Sequence, residues 1–143
     1  QAGPDAPEAT ARRRGFIEQT TFGRFRGVQP SLLPLILHRS RLDDPAVVQP
    51  ILEMAAEVGA EGFVREQTAI MGRPDNRRLL AEIDVPTLVI VGRQDQTTPL
   101  PRAQEMAADI ASARLVIVEE CGHMSPLEKP AEVSAALRRW LSQ

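Results

Sequence analysis

Two short apolar runs, Thr87-Leu88-Val89-Ile90-Val91 and Leu115-Val116-Ile117-Val118, constrain this chain more than any other feature. Both are continuous and rich in β-branched residues, and Pro86 and Gly92 bound the first. Such runs suit parallel strands covered on both faces. Between them, within Pro101 to Ile110, the residues Ala103, Met106, Ala107 and Ile110 recur at helical spacing, which predicts strand, helix, strand. Parallel strands joined through a helix need a crossover connection, and these are right-handed in nearly all cases. The carboxyl ends of the two strands then lie at one sheet edge, where open α/β sheets bind their ligands.

Two chemically useful residues follow those carboxyl ends. Asp95 comes just after the first run, in Gly92-Arg93-Gln94-Asp95, and His123 just after the second, in Glu119-Glu120-Cys121-Gly122-His123. The crossover brings an acid and an imidazole onto neighbouring loops. A carboxylate so placed can accept the Nδ1 proton of a histidine, fix its tautomer and stabilise the imidazolium. Taken singly each has a plainer reading: Asp95 orders its own turn, and His123 is an exposed loop residue.

The stretch before Asp84 reads differently, as helices separated by turn residues. A helical pattern carries Phe16 and Ile17 and ends before Gly23 and Gly27, and a short apolar helix starts at Ser31 with Pro34 in its first turn. Asp44-Pro45 is a strong helix start, an acidic cap followed by the imino acid that suits the first position. Val47, Val48, Ile51, Leu52 and Ala55 follow at helical spacing; Pro50 is expected to kink that helix or delay its start, and Gly59 to stop it. Further helices are expected over Ala60 to Met71 and Asn76 to Ile83. After the second strand, Lys129-Pro130 opens a last helix with Val133, Leu137, Trp140 and Leu141 on one face.

Composition narrows the function classes. With 17 basic and 19 acidic residues spread along 143, no basic face for nucleic acid stands out. A single cysteine, Cys121, excludes an internal disulfide and a thiolate metal cluster built from this chain alone, and a reducing cytoplasm is the expected setting. The apolar stretches are too short to span a bilayer, so no membrane partner is expected. Neither cofactor nor metal is called for.

Ile83-Asp84-Val85-Pro86-Thr87-Leu88-Val89-Ile90-Val91-Gly92-Arg93-Gln94-Asp95, followed by Thr98-Pro99, resembles the acid-bearing strand of the α/β-hydrolases. Cys121-Gly122-His123-Met124, then Pro126-Leu127-Glu128-Lys129-Pro130, resembles their histidine loop and the start of the last helix. The resemblance implies an α/β fold: the carboxyl-terminal part of such an enzyme, with residues 1–83 as an all-helical cap and 84–143 as a strand-helix-strand-helix unit of the core. It implies that Asp95 and His123 are the acid and base of a Ser-His-Asp triad, and that Met124, beside the histidine, is the candidate for contact with substrate. The relatives it suggests are small-molecule esterases, enol-lactonases and cofactor-free haloperoxidases, so the substrate class is a small carboxylic ester, a lactone or a related carbonyl compound.

The departure from that family is equally informative. Its nucleophile sits on a Gly-x-Ser-x-Gly elbow ahead of the acid, and no serine here has the flanking glycines. The oxyanion-hole donors belong to the same missing part. Two strands are also few for a stable sheet, which typically has about four to six. These observations, with Gln1 rather than methionine at the start, lead us to expect a fragment or one member of a larger assembly, paired with the absent amino-terminal part or with another copy as a homo-oligomer, and inactive alone. The competing expectation is a non-catalytic binding or assembly module that keeps Asp95 and His123 by descent.

Other residues have plainer expectations. Arg12-Arg13-Arg14 reads as a solvated helix face, His38 as a structural or surface residue on a helix, Met54 and Met71 as packing residues, Trp140 as core, and Cys121 as a small buried side chain.

Overall fold

Asp44 caps the longest helix as its chemistry dictates. Its carboxylate accepts the Ala46 N–H at 3.0 Å, and Pro45 occupies the first helical position. The computed structural model describes residues 2–21 and 32–142. The helices in order are α1 (Pro7–Gln19), α2 (Leu33–Ile36), α3 (Pro45–Met71), α4 (Leu100–Asp109), α5 (Ser125–Glu128) and α6 (Pro130–Leu141), with strands β1 (Thr87–Gly92) and β2 (Ala113–Val118) on either side of α4. Short 3₁₀ turns cover Arg39–Arg41 and Arg77–Glu82. Gly23, Gly27 and Ser31 lie outside the described residues.

The strands pair in parallel, from Thr87 opposite Ala113 to Gly92 opposite Val118. Alternation of side chains then sends Val89, Val91, Leu115 and Ile117 to one face, where Ala103 of α4 covers them, and Ile90, Val116 and Val118 to the other, where Val133 of α6 packs with Cys121. That is the two-sided cover the apolar runs call for. A third cluster, Leu33, Leu37, Val47 and Ile51, holds α2 to α3, and Met124 and Leu127 pack against it. The helical segment is therefore joined to the loop that carries His123.

Several expectations need correction. Pro50 neither delays the start of α3 nor breaks it; the helix is interrupted instead at Gly59, as expected, where φ 65° and ψ −178° form a kink essentially confined to glycine, and the two helical runs meet there. Within the helix expected over Asn76 to Ile83, Arg77–Glu82 winds as a 3₁₀ helix. Met54, expected to pack, is 45% exposed. On α6 the buried residues are Val133 and Ala136, whereas Leu137 and Leu141 are 41% and 72% exposed and Trp140 is half-buried rather than core. Two strands give α6 a narrow surface, so the later part of its apolar stripe finds no cover among the described residues.

Arg12 and Arg14 are exposed as expected, but Arg13 is not part of a solvated face. Its Nε lies 2.6 Å from the buried Asp5 carboxylate, which Arg73 also reaches at 3.3 Å, and its Nη1 donates to Gln67 Oε1 at 2.7 Å. The hydrogen bond to Gln67 ties α1 to α3, and Asp5 joins the segment before α1 to Arg73 just after α3.

Candidate active site

The loops after β1 and β2 are fastened before any side chain of the site is placed. Arg93 N–H donates to Val118 O and Gln94 N–H to Cys121 O, both at 2.9 Å, while Gln94 Oε1 accepts the Cys121 N–H at 3.0 Å. Glycine is required where the loops cross. A Cβ on Gly92 collides with the backbone of Gly122 and Cys121, and a Cβ on Gly122 lies 2.7 Å from His38 N and 2.8 Å from Leu37 C.

Within this frame Asp95 is 7% exposed and fully satisfied. Its Oδ1 accepts the N–H groups of Thr97 and Thr98, each at 2.8 Å. Its Oδ2 accepts the Thr98 hydroxyl at 2.8 Å and faces His123 Nδ1 at 2.9 Å. A carboxylate only accepts, so Nδ1 carries the proton and Nε2 of the neutral ring keeps its lone pair. Burial alone raises the Asp95 carboxyl, but the hydrogen bonds from His123 and Thr98 outweigh it and hold the group below its ordinary value. The arrangement can therefore present an oriented imidazole base with an ionised carboxylate behind it. The His123 side chain is 34% exposed, open to a reacting partner.

The helical segment meets both loops here. Gln96 Nε2 donates to Pro34 O at 3.0 Å, Thr97 Oγ1 to Leu35 O at 3.1 Å, and His123 N–H to Ile36 O at 2.9 Å. A cleft of about 370 Å³ opens beside these contacts, lined by Pro34, Leu37, His38, Arg39, Leu42, Gln94 and Gln96. His38 is not on a helix. It precedes the 3₁₀ turn and caps it, its Nδ1 accepting the Ser40 N–H at 3.3 Å and lying 2.8 Å from Ser40 Oγ. Met124 packs against the Leu33, Leu37, Val47 and Ile51 cluster.

Cys121 is fully buried, and burial pushes its thiol up to about 12, which leaves it a packing residue with little thiolate. Sequence reasoning overlooked Glu128, which was visible only as part of a motif. It is 2% exposed and accepts backbone N–H groups on both sides of His123. Among the described residues no three His, Cys, Asp or Glu side chains gather as metal ligands, and no helix is long and apolar enough to cross a membrane.

The sequence pattern of the alpha/beta hydrolase family matches residues 2–136, and the chain belongs to that family. It is 33% identical over 97 residues to a pimeloyl-[acyl-carrier protein] methyl ester esterase of Neisseria meningitidis, a match covering 68% of this chain and 38% of that enzyme. A proline iminopeptidase of Lactobacillus helveticus is 45% identical over 64 residues, 45% of this chain and 21% of the relative. Among solved structures, a thermophilic esterase from Thermogutta terrifontis superposes with a TM-score of 0.89 at 31% identity, over 99% of this chain and 53% of its own. The enol-lactonase from Burkholderia xenovorans LB400 shares the fold, with a TM-score of 0.85 at 24% identity over 99% of this chain and 53% of its own. The chain thus spans about half the length of these two structures and less of the two curated relatives.

Proposed function

We propose that this chain supplies the acid and base of a hydrolase acting on a small carboxylic ester, lactone or related carbonyl compound, with residues 1–83 as the cap over its site. The observation that carries the reading is the 2.9 Å contact between His123 Nδ1 and a carboxylate whose other acceptor positions are filled by Thr97 and Thr98. The names of two relatives, a methyl ester esterase and a thermophilic esterase, support an ester substrate.

In this reading the nucleophile, a serine, and the oxyanion-hole donors come from polypeptide outside these 143 residues. His123 Nε2 takes the serine proton as the oxygen adds to the substrate carbonyl, and the imidazolium is stabilised by Asp95. The tetrahedral intermediate then collapses, the alcohol leaving with the proton from His123. Water repeats both steps on the acyl intermediate and releases the acid. No cofactor takes part, and the partner is the amino-terminal part of the same protein or a second copy of the chain. The cytoplasm is the proposed location.

The test compares the 143-residue chain with the same chain joined to a segment bearing a Gly-x-Ser-x-Gly elbow, using short-chain nitrophenyl esters. Background hydrolysis by the chain alone and turnover by the joined protein are expected. Turnover by the chain alone contradicts the proposed division of labour, and binding without turnover in the joined protein favours a non-catalytic module.

A further inference from the structure

Glutamate is among the side chains least often buried without a paired charge. Glu128 nevertheless is 2% exposed, and among the described residues no ion pair includes it. Its partners are backbone N–H groups. Oε1 accepts from Gly122 at 3.0 Å and Met124 at 3.1 Å; Oε2 accepts from His38 at 2.7 Å and again from Gly122 at 3.1 Å. Gly122 and Met124 flank His123, and His38 lies 90 positions before Glu128 at the end of the segment that follows α2. Glu128 is itself placed by α5, whose first turn returns its own N–H to Met124 O at 2.9 Å.

From this we infer that Glu128 is a positioning residue for His123: one carboxylate grips the backbone on both sides of the histidine and locks it to the segment at His38, thereby fixing where the imidazole stands relative to Asp95. This rests on the reading of His123 as the base only for its kinetic consequence. Apolar packing cannot replace the carboxylate. Three N–H groups turned toward one buried point each lose a partner when it is removed. The glutamate geometry is also specific, because a glutamine in the same place offers one accepting oxygen and turns an NH₂ group toward N–H donors. The effect is directed at the site, since the loop it holds carries His123 and closes against Gly92 on the acid's own loop.

The experiment uses the full chain labelled with ¹⁵N, comparing Glu128→Gln with the parent. Expected are loss or broadening of the downfield Nδ1 proton resonance of His123 and faster exchange of the Gly122 and Met124 amides, with the far-ultraviolet circular dichroism unchanged. In the joined, active protein kcat falls on the order of 100-fold with KM within about twofold, the signature of a misplaced reacting group. Should Glu128→Gln not fold, Glu128→Asp, which keeps the charge and both oxygens on a shorter arm, is read in the same way. An Nδ1 resonance and amide protection like those of the parent overturn the inference. If the joined parent protein hydrolyses nothing, the hydrolase reading fails while the resonance and exchange data still decide the role of Glu128.

Discussion

His123 Nδ1 stands 2.9 Å from Asp95 Oδ2, and Thr98 Oγ1 holds that same oxygen at 2.8 Å. That oxygen therefore cannot turn to another partner without losing two contacts, while Oδ1 is held by the Thr97 and Thr98 N–H groups. Asp95→Asn keeps the shape but can turn an NH₂ donor toward Nδ1, which favours the wrong tautomer. We predict that Asp95→Asn lowers kcat in the active protein by about 10⁴-fold while leaving the fold intact, as read by steady-state kinetics and circular dichroism.

The same carboxyl makes stability depend on pH. Its folded value is held below its ordinary one, so its contribution is fully present above the unfolded value, about 3.9, and is lost as pH falls through the folded value. Denaturant titrations of the chain should show a midpoint that declines with acidification below about pH 4, less steeply in Asp95→Asn. A midpoint whose acid dependence is identical in the two proteins would contradict the assigned hydrogen bonds.

Glycine substitutions separate close approach from mere helix propensity. Gly92→Ala drives a methyl group into the backbone of Gly122 and Cys121, and is expected to cost about 1–3 kcal/mol or more by thermal melting. Gly15→Ala in α1 meets nothing within 4 Å and should stabilise by roughly 0.5–1 kcal/mol. Equal effects at the two positions would mean the loops are not in contact.

Arg13 and Arg12 test the buried ion pair in the helical segment. Arg13→Ala takes a charged partner from Asp5, whose side chain is 6% exposed, and should cost about 1.5–3 kcal/mol. Arg12→Ala, on the exposed face, should stay within about 0.5 kcal/mol. Chemical denaturation of the two variants makes the comparison.

What the sequence disclosed and what it hid follow from the range of the interactions. The strands at Thr87 and Leu115, the start at Asp44-Pro45 and the break at Gly59 are local: β-branched runs, a cap and a backbone conformation that only glycine takes easily. The meeting of Asp95 with His123 was legible too, because crossover handedness converts two local elements into one edge. Glu128 was not, since the N–H group of His38 that it binds lies 90 positions away and leaves no periodicity. Arg13 reads as solvated for a similar reason: Gln67, 54 positions away, is brought to it by the packing of α1 on α3, and the carboxylate it shares with Arg73 is local at Asp5 but carries no helical periodicity. The stripe on α6 shows the opposite limit. A hydrophobic pattern tells which face seeks cover, and Leu137 and Leu141 show that it does not say whether the neighbouring elements supply it.

The central claim, that His123 is the general base of this hydrolase fold, is tested most directly by kcat/KM for a short-chain nitrophenyl ester in the joined, active protein with and without His123→Ala. A loss of at least about 10³-fold, with the fold preserved, is predicted. Retention within about tenfold of the parent value would place the proton transfer elsewhere and contradict the account.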